Sequence, residues 1–235
     1  MTITRQIKWL DLSIINYEKS YNIQEHLHQM RKNREISDVI IFQECHPVIT
    51  IGKSGSEKHL LASKEELFTK GIDVLYSNRG GDITYHGPGQ LIISPILYLK
   101  EYTKSVLHYL RLLEQVVINL LERYYIIADR IQGLSGVWVE NKKIASVGIA
   151  IKNGVTMHGV AVNVNPDLSH FDFIIPCGLK DAAVTSLKDI SNTIPSLHQV
   201  RDDFLREFSL IFDVFIDRKE IEKEVYKNEL WAQDT

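Results

Sequence analysis

Apolar positions along this chain keep two rhythms. Between residues 103 and 124, Val106, Leu107, Leu110, Leu113, Val117, Leu120 and Leu121 recur at helical spacing and predict a helix with one core-facing stripe. Helices are also predicted over residues 16–32 and 196–212, and over "SKEELFTK", where Ser63 is an N-cap and glutamates fill the first turn. The second rhythm is the dense β-branched run. Residues 7–10, "DVIIFQE" and "PVITIG" predict strands, and "DVLYSNRGGDITYHGPGQLIISPILYL" predicts strand, glycine-rich connection, strand. "NG" at Asn153 and Gly154 joins two runs rich in valine, isoleucine and alanine, the strongest short hairpin signal. Strands and helices interleave while hairpins stay prominent. The expected architecture is α/β (α+β), with helices packed on a mixed, largely antiparallel sheet.

Composition narrows this picture. The 235 residues are 44% hydrophobic and 24% charged, enough for a largish domain with a substantial core. No repeat, low-complexity tract or linker divides them, so residues 1–217 are expected to form a single domain and 218–235 a charged C-terminal tail. A formal charge of -3 gives no basic footprint for nucleic acid or an anionic membrane surface. No apolar run approaches the roughly 20 residues that span a bilayer, and the first residues lack a secretory pattern. A cytoplasmic protein is expected. The two cysteines, Cys45 and Cys177, are too far apart for a CxxC pair and too few for a disulfide framework, so both are expected as free thiols.

Several stretches can carry chemistry. "RGGDITYHGPGQ" concentrates glycines that weaken strands and let backbone approach a ligand. A bulged corner explains it equally well, and His86 within it is either a pocket group or a surface histidine. "GKSGSEK" at residues 52–58 lacks the spacing of a phosphate loop. Cys45, His46, His158, His170 and Cys177 are metal-ligand types, but beyond the adjacent first two they lack the close pairs of zinc sites, so no metal is expected. Cys177, in "FIIPCGL", is either a buried inert thiol or a nucleophile.

Strand alternation adds a sharper clue. If residues 143–151 form a strand, Lys143 shares its side with Ala145, Val147, Ile149 and Ile151, whereas Lys142 falls with Ile144, Ser146 and Gly148. A lysine opening an apolar face either snorkels to water or, in a dry pocket, serves as a base. Periodicity therefore favours Lys143 over Lys142. On the partner run, Gly159 and Ala161 leave room for something to lie across the sheet, and His158 shares a face with Val160, Val162 and Val164. That placement suits a core histidine as well as a ligand-binding one.

Taken together, "ECHPVITIGKSG", "RGGDITYHGPGQL", "GVWVENKKIASVGI", "GVTMHGVAVNVNPDL", "FDFIIPCGL" and "VTSL" closely resemble the lipoyl(octanoyl) transferases, the LipB-type octanoyltransferases, in family order across residues 43–187. The resemblance implies the catalytic-domain fold of biotin/lipoate protein ligases. It implies transfer of an octanoyl group from octanoyl-acyl carrier protein to a lysine of lipoyl domains in 2-oxoacid dehydrogenase complexes and the glycine cleavage H protein. No cofactor is expected, and the enzyme is expected to be a monomer. The resemblance further implies that Cys177 is the acyl-thioester nucleophile and Lys143 its general base. Implied substrate-binding residues are Arg79, Gly80, Gly81, Asp82, Ile83, Thr84, Tyr85 and His86, then Ser146, Val147 and Gly148, then His158, Gly159, Val160 and Ala161.

These residue types suit the chemistry. A free thiol with a pKa of about 8.5 is mostly protonated at neutral pH, so a nearby base helps it attack a thioester. Thioester to amide runs downhill without ATP. Three departures touch the pocket: "GLSGVWV" lacks the family's usual proline, Ser94 stands where an aromatic is common, and Met157 replaces a tyrosine. Chain-length preference is where they are expected to act. The rivals are an ATP-dependent lipoate or biotin ligase of the same fold, which needs no cysteine, and a non-catalytic carrier-protein binder. The "PCG" motif and the paired lysine speak for the transferase.

Overall fold

A computed structural model describes residues 5–176, 183–191 and 193–221. Cys177 and residues 222–235 of the tail lie outside the described residues. From the N-terminus the elements are β1 (Arg5–Ile15), α1 (Tyr17–Lys32), β2 (Val39–Cys45), β3 (Val48–Ile51), α2 (Lys64–Thr69), β4 (Asp73–Tyr76), β5 (Ile83–His86) and β6 (Gln90–Ile96). Then follow α3 (Val106–Glu122), β7 (Val137–Val139), β8 (Lys142–Lys152), β9 (Val155–Asn163), β10 (Ala183–Val184), α4 (Leu187–Ile190), α5 (Leu197–Phe212) and β11 (Val214–Glu220).

Local chemistry explains where the helices begin. Asn16, Ser63, Ser105 and Ser196 each accept a first-turn backbone N–H at the start of α1, α2, α3 and α5. The hairpin between β8 and β9 turns on Asn153 and Gly154 with φ of 53° and 82°, the paired positive values that a two-residue type I′ turn requires. β11 differs from expectation. It pairs parallel to β1 and continues past the expected boundary at residue 217 to Glu220, with Val214 and Ile216 supplying the one apolar face an edge strand needs. On α3 the buried face holds Tyr109, Leu113, Glu114, Val116, Val117, Leu120 and Leu121, while Val106 and Leu107 of the expected stripe face solvent in the first turn.

Eight strands make one mixed sheet in the order β10-β8-β9-β6-β2-β1-β11, with β7 paired to β8, and β4-β3-β5 make a second sheet. The centre is antiparallel (β8–β9, β9–β6, β6–β2), and the flanking pairings β2–β1, β1–β11 and β8–β10 are parallel. One face packs against α3 and α5, where Leu113, Val117, Phe204 and Phe208 meet Phe42, Ile93, Val160 and Val162. On the other face, Ile23 and Leu27 of α1 cover Ile41, Ile96 and Met157. The small sheet packs on that second face through Val48, against Cys45, Ile92 and Ala161. Among the described residues no helix is long and apolar enough to cross a membrane.

One buried carboxylate ties α3 to the loop before β7. Glu114, with 0% of its surface exposed, receives Arg111 at 2.6 Å, Arg130 at 3.0 Å and the Gly136 backbone N–H at 2.9 Å. Removing it strands a buried N–H and two guanidinium donors. Glu114→Ala is therefore expected to lower stability by about 2–4 kcal/mol in chemical denaturation, and Glu114→Gln by less.

Candidate active site

A cleft lies between the main sheet and the small sheet, beside α1. Its floor is one face of the four central strands. Ser146 of β8 pairs with Ala161 of β9, Ala161 with Ile92 of β6, and Ile92 with Gln43 of β2, so one row crosses the sheet. Gly148, Gly159 and Ser94 sit two residues further along their strands and face the same way. Small side chains keep this floor low. At Gly159 nothing larger fits, since a Cβ would stand 2.4 Å from the Ile93 carbonyl oxygen. Val147 and Val160 border the cleft between these residues, but their side chains belong to the core facing α3 and α5.

The roof is the glycine-rich segment from Arg79 to Thr84. Gly52, Lys53 and Ser54 donate backbone N–H groups to the carbonyls of Asp82, Arg79 and Gly81, and Gly80 N–H bonds Ile149 of β8 at 2.8 Å. The "GKSG" run thus braces the roof. Arg79 is buried and donates to the Thr50 carbonyl at 2.7 Å and hydroxyl at 2.8 Å. Counting the open solvent at its mouth, the space among the lining residues is about 780 Å³.

Lys143 lines the cleft and is only 4% exposed. Strict alternation would place it with Ala145, Val147, Ile149 and Ile151 against the core, and that expectation is corrected here. Trp138 pairs with Lys143 while Val137 pairs with Ala145, so the β7–β8 register shifts by one residue around Ile144. Ile144 and Ala145 both enter the core, and Lys143 turns to the cleft side with Trp138. Its Nζ stands 4.8 Å from the Trp138 ring centroid. Gly136, at φ 112°, leaves its Cβ position 3.3 Å from the Lys143 Cε, so the lysine stem lies against bare backbone. Lys142 is exposed. Two further neighbours bear on Cys177: Pro176, just before it, lines the cleft, and Val184 of β10 is the register partner of Lys143.

Two other placements depart from expectation. His158 has φ 55°, which turns its ring away from the face of Val160, Val162 and Val164 and onto Tyr21 of α1. Tyr85 does not line the cleft. It is buried with Ile49, Ile83 and Phe171, its hydroxyl 2.8 Å from His170 Nδ1, because alternation on β5 points it away from His86. Among the three substituted positions, Ser94 and Ser135 border the cleft, whereas Met157 is buried in the core under α1. Sequence reasoning missed Tyr17, Gln24, Gln43 and Phe171. Spacing of 17, 20, 21 and 24 on one helix face was the available signal for the α1 residues.

Burial dominates the electrostatics. It pushes the Cys45 thiol up to about 12, leaving that cysteine an inert core residue. Cys45 is buried while His46 beside it is exposed, and among the described residues no three His, Cys, Asp or Glu side chains could hold a metal ion. Burial, then the Arg79 guanidinium, push His86 down to about 4 and His158 to about 3. Both rings are neutral at physiological pH. His86 Nδ1 donates to Gln90 Oε1 at 3.0 Å, and His158 Nε2 donates to Asn78 Oδ1. An unfolded histidine titrates near 6.5, so from about 6.5 down to about 4 the unfolded chain binds protons that the folded rings refuse. Stability is complete above that window and falls on acidification through it. The thermal midpoint should drop across this range, and less steeply in His86→Gln; parallel slopes would contradict the assignment.

Residues 16–209 match the family model described as the lipoyl protein ligase A/B catalytic domain. The chain is 42% identical over 217 residues to an octanoyltransferase of Caldicellulosiruptor saccharolyticus, covering 90% of this chain and 92% of that one. It is 46% identical over 205 residues to an octanoyltransferase of Dictyoglomus turgidum, covering 86% of each. Among solved structures, the putative lipoate protein ligase Ta0514 of T. acidophilum with bound lipoic acid aligns with a TM-score of 0.75 at 19% identity, over 97% of this chain and 95% of that one. The biotin protein ligase of Aquifex aeolicus aligns with a TM-score of 0.51 at 18% identity, over 90% and 70%. At such identities these two structures speak for the fold alone, which is that of the ligase catalytic domains. The sequence relatives go further, and with the family model covering most of the chain they show that this protein belongs to the octanoyltransferases of the lipoyl protein ligase A/B catalytic-domain family.

Proposed function

We propose that the enzyme takes the octanoyl group from octanoyl-acyl carrier protein onto Cys177 as a thioester, and passes it to the target lysine of a lipoyl domain. The observation that carries this reading is the convergence on Lys143. A buried amine lines the cleft, the residue before Cys177 lines the same cleft, and β10 pairs beside that amine.

The steps balance without a further reactant. Lys143 Nζ accepts the Cys177 proton, and the thiolate attacks the thioester carbonyl. The carrier's pantetheine sulfur leaves and takes the proton back from the Lys143 ammonium. The acceptor lysine, arriving as a neutral amine, attacks the Cys177 thioester; an amide forms, the C–S bond breaks, and the amine's proton passes through Lys143 to the cysteine sulfur. The face of Trp138 stabilises the ammonium formed in each half-reaction. The small, low floor suits an unbranched acyl chain laid across the strands.

Intact-mass measurement after incubation with octanoyl carrier protein should find one added octanoyl group, removable by hydroxylamine and missing in Cys177→Ala. An unmodified wild-type protein, beside a transferase that is acylated in the same mixture, would refute the thioester. Pyrophosphate exchange dependent on lipoate and ATP would assign the ligase reaction instead. Lys143→Ala should slow acylation by roughly 10²–10⁴-fold, the usual weight of a general base, while the exposed Lys142→Ala stays within about twofold. Equal effects would remove Lys143 from the mechanism.

A further inference from the structure

The far end of the cleft is closed by side chains of α1. Tyr17 and Tyr21 lie one turn apart and project from one helix face. Tyr17 stacks on His86, with centroids 6.2 Å apart and planes 9° from parallel, and its hydroxyl is 2.8 Å from Ser77 Oγ. Tyr21 stacks on His158 at 6.0 Å and 20°, and Asn78 Nδ2 donates to its hydroxyl at 3.0 Å. The two histidines line the cleft. Ser77 and Asn78 line a separate outer groove of about 940 Å³, solvent at its mouth included, and Tyr17 borders both spaces. The Tyr17–His86 pair therefore stands as a wall between the cleft and the outer groove.

The position of that wall is a length. From Ser146 on β8 to Gln43 on β2 the floor crosses three strand spacings, about 14 Å in all. Seven carbon–carbon bonds of about 1.5 Å cannot exceed about 11 Å, so an octanoyl chain fits short of the end. A zigzag chain advances only about 1.25 Å per bond, so a chain of about twelve carbons reaches the wall. Beyond it the outer groove has room, but Tyr17, pinned by Ser77 and His86, stands in the way.

We propose that this wall sets the longest acyl chain the enzyme accepts, and that Tyr17 is its specificity-determining residue. The inference rests on the reading that the cleft holds the acyl chain of a Cys177 thioester. It assigns to the α1 tyrosines a substrate-length role that the nucleophile and base do not supply.

The test offers wild type and variants a mixture of C8, C10, C12 and C14 acyl carrier proteins and reads acyl-enzyme by intact mass. Wild type should lose acylation between C12 and C14. Tyr17→Ala, which joins cleft and groove, should raise C14 acylation about tenfold relative to C8, and Tyr17→Phe should keep the wild-type cutoff. Ala161→Leu, on the floor short of the wall, should move the cutoff below C8, and it keeps the proposal falsifiable where Tyr17→Ala does not fold. A folded Tyr17→Ala that accepts C8 with the wild-type cutoff would overturn the ruler, as would an unmoved cutoff in Ala161→Leu. A wild type that forms no acyl-enzyme yet modifies a lipoyl domain would refute the thioester alone. The ruler would then be judged by the same cutoffs read on the modified domain.

Discussion

A lysine almost wholly removed from water is the constraint around which one end of the sheet is built. The ammonium that the proposed reaction forms there needs compensation close by, since an isolated buried charge is strongly disfavoured. The Trp138 ring lies under the Nζ, and Gly136 gives the aliphatic stem a smooth backbone to lie on. Gly136 is in turn held by the Glu114 carboxylate, which α3 carries into the core already paired with Arg111 and Arg130. Lys143 is thus oriented through a chain of contacts reaching from a surface guanidinium to the cleft. The one-residue shift in the β7–β8 register turns Lys143 out of the core and makes this arrangement possible.

The rest of the cleft follows from making room beside that lysine. Glycine, alanine and serine keep the floor low over β8 and β9, and bulk returns at Ile92, Gln43, Gln24 and Tyr17. Three of the polar groups lining the space are kept uncharged or engaged. His86 and His158 are neutral because burial and Arg79 both oppose protonation, and Arg79 spends its donors on Thr50 and Gly80. A cleft lined this way can accept an apolar chain without trapping a counter-ion. The same scaffold serves lipoate and biotin ligases, so the fold by itself does not select the chemistry. In the proposed mechanism, selection rests on the Cys177 thiol and the Lys143 amine.

Much of this was legible along the chain because it is local. Ser63 marked the start of α2, and Asn153–Gly154 marked the hairpin, since each depends on the backbone of a few neighbouring residues. The small residues of β9 announced an approach across the sheet. Lys143 was preferred over Lys142 by alternation, and the structure also buries Lys143, but for another reason. Its place in the cleft comes from a register shift, which depends on the partner strand and leaves no mark in the period of β8 itself. His158 was misplaced for a similar reason, because a single positive φ reverses a side chain without changing the sequence pattern.

The residues read least well are those whose role depends on what faces them. α1 buries Ser20, Gln24, His28 and Arg31 beside Ile23 and Leu27, a face too polar to read as core from periodicity. β11 was hidden in a charged stretch because pairing with β1 supplies its stabilisation. The sequence by itself determined the longer helices, most of the central strands, the hairpin, the candidate nucleophile and base, and the family, since all of these rest on short-range backbone preferences or on motifs. Only the tertiary structure decided that Lys143 turns to the cleft, that Tyr85 leaves it and that Tyr17 closes it. Those outcomes depend on strand register and on packing between segments distant in the chain, which no local pattern encodes.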